Sequence, residues 1–264
     1  MSMTLISTFA SSCYIIATLM QLKSVTSDKV YHSRAKLLGG LAAVLHGYAA
    51  IYGLLSGTGI DLGIYPMLSL ITLSIVAIVL FTSMRRPIEN LFVVIFPVAA
   101  VALLLELSLQ NESTIREEIP TGMIGHIILS IIAYSILTIA AIQAALLSLG
   151  DNLLRNRRLA FLRRMPSLET MEQLMFEMVA WGLGFLTLSI ASGFFSLRDI
   201  SSPGLWHHTI ITLMAWTVFL VLLWGRYSRG WRGEIASRWA LIGFVLLALG
   251  YFGSKVVLEI VLQQ

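Results

Sequence analysis

The chain has 264 residues, of which 57% are hydrophobic and only 12% charged. A soluble domain carries about 25% charged and roughly 45–50% apolar residues. A surface this poor in charge excludes a cytosolic enzyme, a secreted domain and a disordered chain, and leaves an integral membrane protein. The formal net charge of +4 does not point to nucleic acid, because the basic residues sit in short loops between apolar runs, where membrane proteins keep their topology signals. The single cysteine, Cys13, excludes an internal disulfide and a four-thiolate metal site, and there is no Cys-x-x-Cys-His haem attachment motif.

The apolar runs predict an all-α, polytopic bundle of eight transmembrane helices, at about 3–22, 37–55, 62–82, 88–109, 122–149, 174–197, 206–225 and 239–259. Each is near or above the roughly 20 residues that cross a bilayer. No positive charge precedes the first run and Lys23 follows it, the reverse of a secretory leader, so it reads as a retained helix with the N-terminus outside. Fifteen of the eighteen Lys and Arg fall in four alternate loops, at 23–36, 83–87, 150–173 and 226–238. That asymmetry predicts both termini on the outer, periplasmic side of a bacterial inner (plasma) membrane. The whole of 1–264 reads as a single transmembrane domain.

Ionisable groups at depth are costly and usually functional, and few are present. His46 lies about halfway along the second helix, where Gly39, Ala42, Ala43, Ala49, Ala50 and Gly53 share its side. Two readings stand. The small residues form a packing seam with His46 hydrogen-bonded across it, or they form the wall of a flat slot in which the imidazole ligates iron. Pro97 is the one strong breaker inside the fourth helix, and Glu106 near its outer end reaches the headgroups. His126 opens the fifth helix on the outer side, with Ser130 and Ala133 on its face; alone it reads as a solvated cap or as a ligand. The 150–173 loop is Arg-rich, and Ser167 with Thr170 and Glu172 marks a helix start. Arg198 lies in the outer loop before the seventh helix, which Trp206, His207 and His208 open. The two adjacent histidines point to different faces. Trp216 sits mid-helix, as packing or as a flat wall. Lys255 and Glu259 are one turn apart near the end of the last helix.

No chain of carboxylates crosses the membrane, and no Ser-His-Asp set, His-Glu-x-x-His, phosphate loop or nucleotide fingerprint is present. A conventional enzyme is not expected. Histidines in the middle and outer third of a bundle, beside aromatics, suit a large, flat, apolar ligand with a metal centre. Haem matches in kind: apolar walls, one or two imidazoles for the iron, and cations for the propionates. Arg198, Arg116 and Lys255 are the outer-side cations. A transporter of a small apolar substrate and a membrane scaffold for a partner complex are the alternatives.

The C-terminal third reads Trp206-His-His-Thr-Ile-Ile-Thr-Leu-Met-Ala-Trp216-Thr-Val-Phe219, then Gly230-Trp231-Arg232-Gly233, then Tyr251-Phe252-Gly253. With Gly125-His126, Ala133-Tyr134 and Met165-Pro166-Ser167-Leu168-Glu169-Thr170, this resembles the cytochrome c assembly membrane proteins, the CcsA/CcmC/HemX-like haem-handling family, over about 37–258. The resemblance implies a haem-binding protein, acting with other membrane or cytochrome-maturation proteins, that handles, delivers or senses haem. It places His126 at the family's outer histidine position. The Trp-rich outer signature is reduced to Trp206, and two of the family's ligand positions hold other residues, which implies carriage or sensing rather than synthetase activity. The candidate cofactor residues are His126, His46, His208, Trp206, Trp216 and Arg198, with His126 and His46 as metal ligands. From helical rise, His46 and His126 are expected to differ in height by about 10 Å, so one iron shared between them requires tilted helices.

Overall fold

The computed structural model describes residues 3–26, 31–55, 59–109, 115–116, 121–156, 166–196, 203–253 and 255. It contains eight helices long and apolar enough to cross a membrane: α1 (Met3–Thr26), α2 (His32–Leu55), α3 (Ile64–Thr82), α4 (Phe92–Ser108, entered through a 3-10 turn at Glu89–Leu91), α5 (Thr121–Arg155), α6 (Leu168–Ser196), α7 (Pro203–Arg229) and α8 (Gly233–Ala248, continued by a π-helical turn at Leu249–Gly253). The expected eight helices are all present. A short antiparallel ribbon, β1 (Ile60–Asp61) with β2 (Ile115–Arg116), joins the ends of α2 and α4.

Several helices overrun the apolar runs that announced them. The second begins at His32 rather than near 37, the sixth at Leu168 rather than near 174, and α5 has 35 residues. Apolar length reports the lipid-facing portion, whereas the backbone ladder continues wherever capping and charge allow. At α6 the cap is visible: the Ser167 hydroxyl accepts the Thr170 N–H at 3.2 Å, satisfying one of the otherwise orphaned first-turn donors. At about 1.5 Å per residue, α5 is about 52 Å long, well beyond a hydrocarbon core of about 30 Å.

The chain divides into two compact units, residues 1–119 and 120–264. In the first unit α1 packs on α2 and α4, and α3 packs on α4 and α2. The small-residue seam of α2 is real. Ala42, His46, Ala49 and Ala50 are buried, and a Cβ on Gly39 would fall 2.3 Å from the Phe96 ring, so that helix contact requires glycine. Phe96 stacks on Phe92 and leans on Tyr14. In the second unit α5 packs on α6 and α8, and α7 on α8 and α6. Large apolar side chains such as Leu37, Val44, Phe194, Phe195 and Val245 stay exposed. Their outward faces suit hydrocarbon rather than water.

Each unit is tied at one helix end by ionic contacts. In the first, Lys36 donates to the Ser83 carbonyl at 2.7 Å and pairs with Glu89 at 3.3 Å, while Gln21 donates to the Glu89 carbonyl and accepts from His32. In the second, Glu172 binds Arg226 at 2.8 Å and Arg232 at 3.3 Å, and accepts the Gly233 N–H at 2.9 Å. Gly230 and Gly233 take positive φ there, which glycine adopts without the Cβ penalty. The turn they make lets Trp231 close over Gly225 and stack on Trp239.

Candidate functional site

Apart from His32 at the start of α2, the histidines whose side chains are described fall into two kinds. His46 is fully buried in the first unit. Its Nε2 lies 2.8 Å from the Ser69 hydroxyl of α3, and its Nδ1 lies 3.4 Å from the Tyr14 hydroxyl of α1. The Tyr14 ring meets the imidazole edge-on at 6.0 Å. Both ring nitrogens therefore have side-chain partners, and iron could approach either only if a hydroxyl gave way.

His126 and His208, both in the second unit, are held differently. The His126 Nδ1 lies 2.8 Å from the Ser189 carbonyl of α6. A carbonyl only accepts, so Nδ1 carries the proton and, in the neutral ring, Nε2 carries the lone pair. The fit beneath the ring is close: a Cβ on Gly193 would stand 3.0 Å from its Cε1 and Nδ1. Ser130 reinforces the junction by donating to the His126 carbonyl and meeting the Ser189 hydroxyl, both at 2.7 Å. Ser189, Ser192 and Gly193 are spaced so that one face of α6 receives the ring.

His208 repeats the arrangement with other parts. Its Nδ1 lies 2.8 Å from the Gly250 carbonyl, which belongs to the π-helical turn Leu249–Gly253. Such a turn departs from the regular ladder and often marks a functional position. The Tyr251 ring stands 6.3 Å from His208 and 5.3 Å from Tyr134, and Tyr134 lies two turns along α5 from His126. The Lys255 ammonium sits 5.6 Å over the same Tyr251 ring. Tyr251 thus brings residues of α5, α7 and the end of α8 together.

Of the other expected residues, Trp216 donates its indole N–H to Thr187 at 2.9 Å, linking α7 to α6. The backbone of Trp206 belongs to α7, but its side chain lies outside the described residues, as do Arg198, Glu259, the side chain of Arg116 and the basic stretch 157–165. Among the described residues no cluster of three or more His, Cys, Asp or Glu side chains could hold a metal ion. A haem iron needs only one or two imidazoles, its remaining ligands being the porphyrin's own.

The sequence reading passed over the groups that orient these rings. The Ser189 and Gly250 carbonyls are backbone atoms with no residue signature. The Ser189-x-x-Ser192-Gly193 stripe carries no sign in the sequence that it seats a particular histidine. Ser69 and Tyr14 carried no signal, because which serine of α3 meets α2 depends on helix rotation.

A family model for Cytochrome C assembly protein matches residues 35–262. Inner membrane protein YpjD of Escherichia coli (strain K12) is 33% identical over 204 residues, covering 77% of this chain and 78% of that protein. An uncharacterized 28.8 kDa protein of Azospirillum brasilense is 29% identical over 140 residues, 52% of either chain. Protein HemX of Brevibacillus brevis is 25% identical over 134 residues, 50% of this chain and 49% of that one. No solved structure matches. The match to the family model begins within α2 and runs through the seven helices from α2 to α8, including those that bear His46, His126 and His208, and the chain belongs to the cytochrome c assembly protein family.

Proposed function

We propose that this protein binds haem in the bacterial inner membrane and hands it on, or senses it, without itself catalysing a reaction. His126 is the principal iron ligand and His208 the second imidazole. The observation that carries this reading is the 2.8 Å contact between the His126 Nδ1 and the Ser189 carbonyl. Metal-ligating histidines almost always donate the other ring N–H to a carbonyl or carboxylate, which fixes the tautomer, orients the ring and raises its basicity. His208 has the same partner type at the same distance.

The donor set fits haem rather than a bare cation: two imidazoles, aromatic neighbours and, among the described residues, no carboxylate cage. Bound haem would supply an iron centre able to take axial ligands and change oxidation state. The chain's own residues do the rest. Ser189 and Gly250 hold Nδ1 protons, Gly193 leaves room for the ring, and Tyr251 and Trp216 offer flat apolar surface. Lys255 at Tyr251 is the described cation for the haem carboxylates; Arg198 and the Trp206 side chain, outside the described residues, are further candidates for its rim.

The loop charges favour an orientation with both termini and the β1–β2 ribbon outside and the Lys36 and Glu172 clusters inside. In that orientation His126 and His208 lie near the outer face. We take residues 1–264 as one transmembrane domain whose partners are the bilayer, haem and other membrane or cytochrome-maturation proteins. The test is the absorption spectrum of the full chain purified from haem-replete cells. A Soret band is expected, with most of it lost in His126→Ala and the remainder in His126→Ala/His208→Ala. A band of full intensity in the double variant overturns the assignment.

A further inference from the structure

The first unit holds a second arrangement, independent of haem. Four helices each contribute one polar side chain to a continuous chain. Tyr14 of α1 meets His46 of α2 at 3.4 Å, and His46 meets Ser69 of α3 at 2.8 Å. The Ser69 hydroxyl is also within hydrogen-bonding reach of the Glu106 carboxyl of α4. Tyr14, His46 and Ser69 are wholly buried. Among the described residues Glu106 Oε2 is buried with no hydrogen-bond partner, and its Oε1 faces Gly53 of α2. Counted at about 1.5 Å per residue from the ribbon end of each helix, Glu106 lies about 3 Å deep, Ser69 about 8 Å, His46 about 14 Å and Tyr14 about 17 Å. The chain descends step by step from the ribbon to the middle of the unit.

We propose that Glu106, Ser69 and His46, terminated by Tyr14, form a proton-exchange chain that opens at the ribbon end of the first unit. A serine between a carboxyl and an imidazole is a two-way relay, since its oxygen accepts from one while its hydrogen donates to the other. The step balances. The O–H bond of protonated Glu106 breaks as an O–H bond forms on Ser69. The original Ser69 O–H bond breaks as an N–H bond forms on His46 Nε2. The products are a Glu106 carboxylate and an imidazolium that donates from Nε2 to Ser69 and from Nδ1 to Tyr14. In that charged state the imidazolium has a partner at each ring nitrogen, and the carboxylate can take a further proton from water beyond the ribbon.

Mere helix glue would need neither the carboxyl nor its orientation. A serine–histidine pair already satisfies both side chains, and leaving a carboxyl oxygen buried and unpartnered carries a cost that a purely structural contact does not repay. Among the described residues the titratable groups around Glu106 are Asp61 of β1, whose charge acts on it directly, Tyr52 beside Gly53 on α2, His46 through Ser69, and Tyr14 beyond. Tyr65, one turn before Ser69, is the other titratable group of α3, and α4 carries no other.

The experiment is infrared difference spectroscopy of the full chain in lipid nanodiscs, titrated with acid and base in H2O and in D2O. The expected result is a protonated-carboxyl band at the high frequency of a poorly hydrated acid. It should shift in D2O, titrate with pH and be absent from Glu106→Gln. Its midpoint should move by about one pH unit in Ser69→Ala and in His46→Gln, because each removes a partner coupled to the carboxyl. The absence of any such band in the unaltered protein overturns the proposal without recourse to a variant. So does a band that survives in Glu106→Gln, or a midpoint that neither Ser69→Ala nor His46→Gln moves.

Discussion

The two units hold the same side chain in opposite ways. In residues 1–119 the buried imidazole of His46 is enclosed by hydroxyls at both nitrogens. In residues 120–264 the imidazoles of His126 and His208 are each pinned at Nδ1 by a backbone carbonyl. A hydroxyl both donates and accepts, so it leaves the tautomer of His46 free to change. A carbonyl only accepts, so it fixes the tautomer and aims one lone pair. The first arrangement suits a group that passes protons, the second a group that holds a metal. Depth and residue type, the features most visible along the chain, do not separate them. The partner does.

The widest way to break this contrast is to exchange the substitution. His46→Ala should keep the haem stoichiometry of the unaltered protein, whereas His126→Ala should lose most of it. The cost of His46→Ala falls on stability instead. Ser69 and Tyr14 are left buried without their partner, at about 1–3 kcal/mol for each such group, and a small cavity opens in the seam. Thermal unfolding in detergent, read alongside haem absorbance per chain, separates the two effects. A folded His46→Ala protein without haem would erase the distinction between the units.

A second comparison concerns the ionic ties. Glu172 is mostly enclosed, its side chain 12% exposed against 24% for Arg226, and it serves two arginines and one backbone N–H. Lys36 and Glu89 are individually more open. Removing Glu172 takes the acceptor from the mostly enclosed Arg226 and from the Gly233 N–H, while Arg232, 67% exposed, stays solvated. Glu172→Gln should therefore lower stability by about 1–3 kcal/mol, loosening the α7–α8 turn. Glu89→Gln should cost less, of the order expected for partly screened pairs. Denaturation midpoints of the two variants check the ranking, and equal losses would show that enclosure does not govern these contacts.

How far the sequence alone reaches follows the same line between side chain and backbone. Hydrophobic run length located all eight helices, because lipid imposes its thickness directly on composition. Run length alone missed the added turns of α2 and α6, which lie before the apolar run begins; for α6 the Ser167 helix start had marked them, and the Thr170 N–H to Ser167 contact bears that out. The stripe from Gly39 to Gly53 was readable as a close-packing face, and Gly39 against Phe96 bears that out. Its histidine admits two readings along the chain, since the deciding groups, Tyr14 and Ser69, come from other helices. The Gly250 carbonyl was beyond reach altogether: a π-helical turn at 249–253 has no dependable signature, and without it His208 is one of two adjacent histidines.

The smallest expected effect gives the sharpest test of how the second unit seats its ring. An alanine Cβ at 193 would meet the His126 ring at 3.0 Å, closer than a comfortable carbon contact of about 3.5–4.0 Å. Either the ring or α6 must move by a few tenths of an ångström. Because α6 also carries the Ser189 carbonyl, any such movement lengthens the bond that fixes the tautomer. Gly193→Ala should weaken haem binding about tenfold, the low end of what losing an orienting partner costs a metal-bound histidine. Gly184→Ala on the same helix, where an added Cβ meets nothing within 4 Å, gains the same helix propensity of about 1 kcal/mol and should leave haem affinity unchanged. Haem titrations of the two variants share every general effect of adding a methyl group to α6, so the ratio of their affinities reports the ring seat alone. A ratio near one would mean that His126 is not held by the face that Ser189 and Gly193 present to it.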